Sequence, residues 1–251
     1  MKGLKGLKGV KGVKGVKGVK GIKEVKGFEM PNGFKGVLCF VLVLFFTVNL
    51  SAQEFFGGLI LGGTTSQVGG DNRGGYNKIG IVGGAFAGLN LTEDFDIQME
   101  LKYIQKGSLS NDVENRPGTD PFLIKLDYID LPIVFAYNLN RINVNNVNLR
   151  WLKIEFGLSF DVLVNSRQEL QGVEVLASNP WRRFVVNTIV GVRVDATENI
   201  EIGLRAVDAM TSICRSSKYP YYNGNVNYTR RLFGRYGMFN DVLQLSVFWK
   251  I

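Results

Sequence analysis

Histidine is absent from all 251 residues. That absence excludes Ser-His-Asp and Cys-His catalysis and any zinc site that needs an imidazole. Cysteine is scarce: Cys39 and Cys214 are the two in the chain, and Cys39 lies in a segment read below as an export signal. The exported chain would keep one thiol and form no internal disulfide. Cys214 has no histidine to activate it and reads as a half-buried loop residue. Long hydrophobic runs are missing as well. Val37 to Val48 is a run of twelve residues interrupted by Thr47, short of the roughly 20 that a membrane-spanning helix needs.

The net charge of +8 would suggest nucleic acid or an acidic surface as partner. Its distribution removes that inference. Residues 1–29 carry nine lysines against Glu24 and Glu29, Lys35 adds one more, and the chain from Gln53 onward is formally neutral. No nucleic-acid partner is expected. The lysines sit in a Lys-Gly-Leu or Lys-Gly-Val repeat with glycine at every third position from Gly3 to Gly21. The period is collagen's, but the segment lacks the proline that stiffens a triple helix. It reads as a disordered extension, or as a start assigned too far upstream with Met30 the initiator. From Met30, Lys35 supplies a positive n-region, the apolar run follows, and Leu50-Ser51-Ala52-Gln53 offers cleavage after Ala52 or Gln53. Leu38, not a small residue, precedes Cys39, so no lipoprotein acylation is expected. The domains are then 1–29 repeat, 30–53 signal peptide and 54–251 folded unit.

What that unit has in abundance is period-two alternation. From Phe95 to Tyr103, Phe95, Ile97, Met99, Leu101 and Tyr103 alternate with Asp96, Gln98, Glu100 and Lys102. A strand sorts such residues onto two faces, whereas a helix would smear them around its circumference. The stretch from Lys125 to Tyr137 does the same, with Ile129, Leu131, Ile133, Phe135 and Tyr137 opposing Tyr128, Asp130, Pro132, Val134 and Ala136. Six further strands are predicted: Phe55 to Thr65, Lys78 to Leu91, from Leu152 to Asp161, Val186 to Val194, Ile200 to Ala206 and Asp241 to Ile251. Connections one, three, five and seven are long, two and six are short, and four is intermediate. This is the loop pattern of a transmembrane β-barrel.

The fold class expected is therefore all-β: an eight-stranded antiparallel up-and-down transmembrane barrel preceded by a signal peptide. The aliphatic faces would meet lipid. The charged faces would look inward, where Asp96, Glu100, Glu155 and Glu201 balance Lys102, Lys153, Arg193 and Arg205 in a paired network that fills the lumen. A soluble lipocalin-like ligand-binding barrel is the alternative, and it requires the reverse orientation of both faces.

The segments ELKYIQKGS (Glu100 to Ser108) and LDYIDLPIVFAY (Leu126 to Tyr137), after a glycine-rich start and an alanine-glutamine junction, resemble the PorT-like outer-membrane β-barrel family of Bacteroidetes-type bacteria. The resemblance covers most of residues 54–251 and implies an eight-stranded barrel in the outer membrane. Most such proteins have no assigned role, and the namesake assists a secretion machinery. The Lys-Gly repeat has no counterpart in that pattern.

The function expected is non-catalytic, with no cofactor and no metal: a structural or interaction role in the outer membrane, in contact with its lipid and with another envelope protein. The segment from Thr211 to Met238 supplies the candidate contact surface, Tyr219, Tyr221, Tyr222, Tyr228, Arg230 and Arg231, because Tyr and Arg are common interface anchors. Its bland alternative is a solvated loop with aromatics at headgroup level. An enzymatic reading would need Asp127 and Asp130 to act as a pair, but their parity places them on opposite faces of a regular strand.

Overall fold

Each stretch of alternation is a strand in the computed structural model, which describes residues 54–70, 75–110, 121–144, 147–174, 180–214, 229–230 and 236–251. The long strands are β1 (Phe55–Gly69), β2 (Lys78–Asn90), β3 (Phe95–Ser110), β4 (Phe122–Asn138), β5 (Leu152–Leu170), β6 (Phe184–Asp195), β7 (Ile200–Ala209) and β8 (Phe239–Lys250). All pair antiparallel with their neighbours in sequence, β1 pairs with β8, and the eight form a closed up-and-down ring.

Closure leaves no sheet edge, which is the condition for a sheet to stand in hydrocarbon. Side-chain exposure then fixes which face is which. On β3, Leu101 is 59% exposed while its neighbours Glu100 and Lys102 are each 1% exposed. The same sorting holds at Phe156 beside Glu155, Leu204 beside Arg205, and Leu245 beside Gln244. Aliphatic residues point out and charges point in. The lipocalin-like alternative needs the opposite and is overturned. On β3 the outward apolar run from Phe95 to Tyr103 extends about 27 Å along the strand at ~3.4 Å per residue. Tilted by about 40°, it covers about 21 Å along the membrane normal, most of the roughly 25 Å band of such barrels.

Two tight turns at one end share one construction. Leu91 and Thr92 both donate their N–H to the Phe95 carbonyl, and Thr92 Oγ1 accepts from the Asp94 and Phe95 amides. Ala196 and Thr197 do the same to Ile200, with Thr197 Oγ1 accepting from Asn199 and Ile200. A threonine hydroxyl thus satisfies the amides that the turn leaves over. The third connection at this end, 139–151, contains a small hairpin pairing Asn143–Val144 with Val147–Asn148. Arg141 ties it to the first turn through Asp94 at 2.9 Å.

Strands on one side are longer than the alternation alone predicts. β1 runs past Thr65 to Gly69, β3 past Lys106 to Ser110, and β5 past Asp161 to Leu170, replacing parts of the expected loops. The polar residues there, among them Ser110, Asn165 and Arg167, lie beyond the outward apolar band, where turn-forming composition does not stop a ladder. The register between β4 and β5 shifts between Asp127 and Tyr128, so Val164 is accommodated as a bulge. Gly107, at φ 140°, lets β3 pass close to the Ile124 carbonyl, where a Cβ would collide. The β4–β5 ladder therefore continues to Phe122↔Leu170 after β6 has left β5 at Val162.

We expect the barrel folded in detergent to migrate differently on a gel unheated and boiled. Leu245→Arg, which aims a charge into the apolar band, is expected to cost about 2–4 kcal/mol of folding free energy in lipid vesicles. A denaturant titration checks this, and an unchanged midpoint would put Leu245 off the lipid.

Candidate functional site

Buried side chains group inside the ring at three levels. At the end with the tight turns, Phe56, Ile60, Phe86 and Phe248 pack together, the Phe86 and Phe248 rings edge to face with centroids 5.8 Å apart. Glycines on the neighbouring wall make the room. A Cβ at Gly203 would come within 2.8 Å of the Phe248 ring, and one at Gly191 within 2.7 Å of Arg205 Cγ. Small wall residues opposite large inward ones are how a ring this narrow is filled.

The second level is ionic; it begins beside the aromatic one, with Glu201 opposite Phe248 and Glu100 opposite Phe86 in register, and rises past it. Arg205 on β7 reaches across to Glu100 on β3, its Nη2 2.8 Å from Oε1, and also donates to Glu155 on β5, Nε to Oε2 at 2.8 Å. Arg193 donates to the same Glu155, to Glu201 at 2.8 Å and to Gln98 Oε1 at 3.0 Å. Its guanidinium lies 4.0 Å from the centroid of the Phe248 ring, and that of Arg205 lies 4.9 Å away. Glu201 also receives Lys153 at 2.6 Å and Lys250 at 2.5 Å. Lys102 binds Glu100 at 3.1 Å and Gln244 at 3.2 Å, with Asp130 at 3.6 Å.

All eight charged residues expected in the lumen are buried there. Seven of them are ion-paired with one another or with a neighbour, and Asp96 accepts a hydrogen bond from Asn138 at 3.2 Å. The reading from sequence missed Lys106 and Asp161, paired at 2.6 Å, and gave Asp130 no partner. Parity could have found them, because Lys106 continues the series 96, 98, 100, 102 on β3. Asp127 and Asp130 do not meet. Asp127 accepts from Asn165 at 3.0 Å, and the residue opposite Asp130 in register is Asp161.

The third level, toward the long connections, is apolar. Val68, Ile104, Phe122, Ile124, Leu126, Tyr128 and Phe239 gather with Trp181, Ile213, Cys214 and Met238 from the segments that follow β5 and β7. Bridges Trp181↔Cys214 and Cys214↔Met238 stitch those segments together. Cys214 is therefore 1% exposed, not half-buried as expected, because it is the middle strand position of a cap over the ring. Burial pushes its thiol up from 9.0 to about 11, against a smaller opposing effect of Arg182. Of the candidate contact surface, Tyr219, Tyr221, Tyr222, Tyr228 and Arg231 lie outside the described residues, as does the side chain of Arg230.

The chain matches the family described as "Outer membrane protein beta-barrel domain" over residues 49–215. No curated protein matches it. Among solved structures it is similar to Ail, the attachment invasion locus protein of Yersinia pestis, at 10% identity over 79% of this chain and 99% of that one, with TM-score 0.42. A second structure of Ail, in complex with the heparin analogue sucrose octasulfate, matches at 11% identity over the same shares with TM-score 0.41. Neisserial surface protein A matches at 10% identity over 80% of this chain and 100% of that one, with TM-score 0.42.

Two outcomes are expected. Glu155→Leu leaves Arg193 and Arg205 short of their shared acid and is expected to lower stability by about 3–5 kcal/mol, read as a shift in the denaturant midpoint of the unheated gel band. For Cys214, a thiol reagent at pH 8 is expected to label only the boiled protein. The folded state keeps its proton up to about pH 11. Because that value is raised, its contribution to stability is present at lower pH and is lost as pH climbs through it.

Proposed function

Because the chain belongs to the outer membrane protein beta-barrel domain family, we propose that it is a non-catalytic barrel whose lumen is closed and whose work is done outside the ring, at the end bearing the long connections. The protein resides in the outer membrane. Residues 30–53 serve as its export signal, and the long connections face away from the cell, as in barrels of this architecture. A closed lumen is supported chiefly by Arg205, which bridges Glu100 and Glu155 from across the ring while all three are at most 1% exposed. A solute passing through would have to break that bridge and part the aromatic rings packed against it. The apolar cap above them adds a second seal.

The connections then remain as the surface through which the protein meets another envelope component. The segment 215–228, with Tyr219, Tyr221, Tyr222 and Tyr228, continues into Arg230 and Arg231 and has the composition of an interface anchor. A narrower place within the family, beside the PorT-like barrels that assist secretion, is supported by the residues Glu100 to Ser108 and Leu126 to Tyr137.

Replacing residues 215–228 by a short Gly-Ser linker is expected to leave the heat-dependent gel shift intact while abolishing cross-linking to envelope neighbours in whole cells. In planar bilayers the intact protein is expected to give no stepwise conductance. Retained cross-linking would move the contact elsewhere, and steady open-channel currents would refute the closed lumen.

A further inference from the structure

Between the ionic level and the apolar cap lies a group of buried polar atoms with fewer partners than they can bind. Asp130 is 0% exposed, and neither of its carboxylate oxygens accepts a hydrogen bond, although Lys102 stands 3.6 Å away. Asp161, opposite it in register, gives Oδ2 to Lys106 at 2.6 Å and leaves Oδ1 without a bond. Asn187 sits beside Asp161 on β6, donates Nδ2 to Ser159 at 3.0 Å, and leaves Oδ1 likewise. From β4 the Tyr128 hydroxyl faces the Asn240 amide of β8, four strands away around the ring, without reaching hydrogen-bond geometry. Both polar atoms of the Asn240 side chain are unbonded. None of these side chains is more than 1% exposed.

We infer that these five residues line a sealed chamber that binds a small cluster of water inside the barrel. Buried polar atoms in native proteins have partners, and where no side chain supplies one an ordered water does. Seven atoms are unsatisfied here among the described residues, and a buried water makes about three hydrogen bonds, so about two or three waters complete the set. Most of the seven are acceptors, which calls for a ligand rich in donors. A metal cation would meet that need alone, but Lys102 and Lys106 already stand against Asp130 and Asp161 and disfavour a second positive charge. Water matches both donors and acceptors, including the Asn240 amide and the Tyr128 hydroxyl. On one side of the chamber Lys102 joins Asp130 to Glu100 of the Arg205 bridge, and on the other Tyr128 packs in the apolar cluster with Ile124 and Leu126 of β4 and Met238 of the cap. The chamber's water is therefore long-lived, not part of a column crossing the membrane.

The inference rests on the closed lumen, and the test separates the two. In the full-length protein folded in nanodiscs and labelled with nitrogen-15, the side-chain amides of Asn240 and Asn187 are expected to show cross-peaks to water with the sign of residence beyond about a nanosecond. Absence of those cross-peaks, in a sample whose gel shift and silence in planar bilayers show a folded closed barrel, would overturn the chamber alone. Cross-peaks of the opposite sign together with open-channel currents would overturn the closed lumen as well. Asp130→Leu, which removes two of the acceptors, is expected to weaken the Asn240 and Asn187 cross-peaks at least twofold. Asp130→Asn, which stays polar, is expected to keep them. Equal cross-peaks in both variants would also count against the site.

Discussion

Hydrocarbon offers no partner to a backbone amide or carbonyl, so a sheet can stand in it only if its last strand returns to its first. The pairing of β1 with β8, from Gly58↔Lys250 to Gly69↔Phe239, meets that demand, and most other features of the fold follow from it. Once the ring is closed at eight strands, every second residue points into a space hardly wider than the side chains themselves. Charges sent inward must satisfy one another there or be neutralised. The acids and bases of β3, β5, β6 and β7 do so mainly between strands, with Lys102 and Glu100 paired within β3. Glu100 and Arg205 are 105 residues apart in sequence and share two contacts below 3 Å.

Size matching works beside charge matching. Glycine in a strand weakens it, yet Gly191 and Gly203 stand where any side chain would displace Arg205 or Phe248. Their cost to the sheet is offset by the large groups they admit. Phe248 is flanked by both arginines, so the aromatic level and the ionic level are joined through one ring. A change at either level is felt at the other.

The fold was legible in the sequence because two requirements act on the same residues. A strand half in lipid and half in a polar lumen must alternate strictly, so Phe95 to Tyr103 and Leu243 to Ile251 carry an unmistakable period. The charged set followed from the same parity. What escaped was governed by longer distances. Strand ends past the bilayer lose the lipid requirement, and Ser108 or Asn165 then looks like loop. Lys106 was placed at a strand end and its acid, Asp161, lies 55 residues away, a pairing that no local pattern encodes. Cys214 sits in a segment with no alternation, and its burial depends on Trp181 and Met238, which come together only when the ring has closed.

The unequal heights of the wall have a consequence of their own. β3, β4 and β5 run to 16, 17 and 19 residues, whereas β6, β7 and β8 have 12, 10 and 12. Among the described residues the long strands thus make a rim that is oblique, like the lip of a pitcher, with a stiff hydrogen-bonded parapet on the β3–β5 flank. A macromolecule sliding in the plane of the membrane meets that parapet from one quarter only, so the surface end of this barrel has a front and a back.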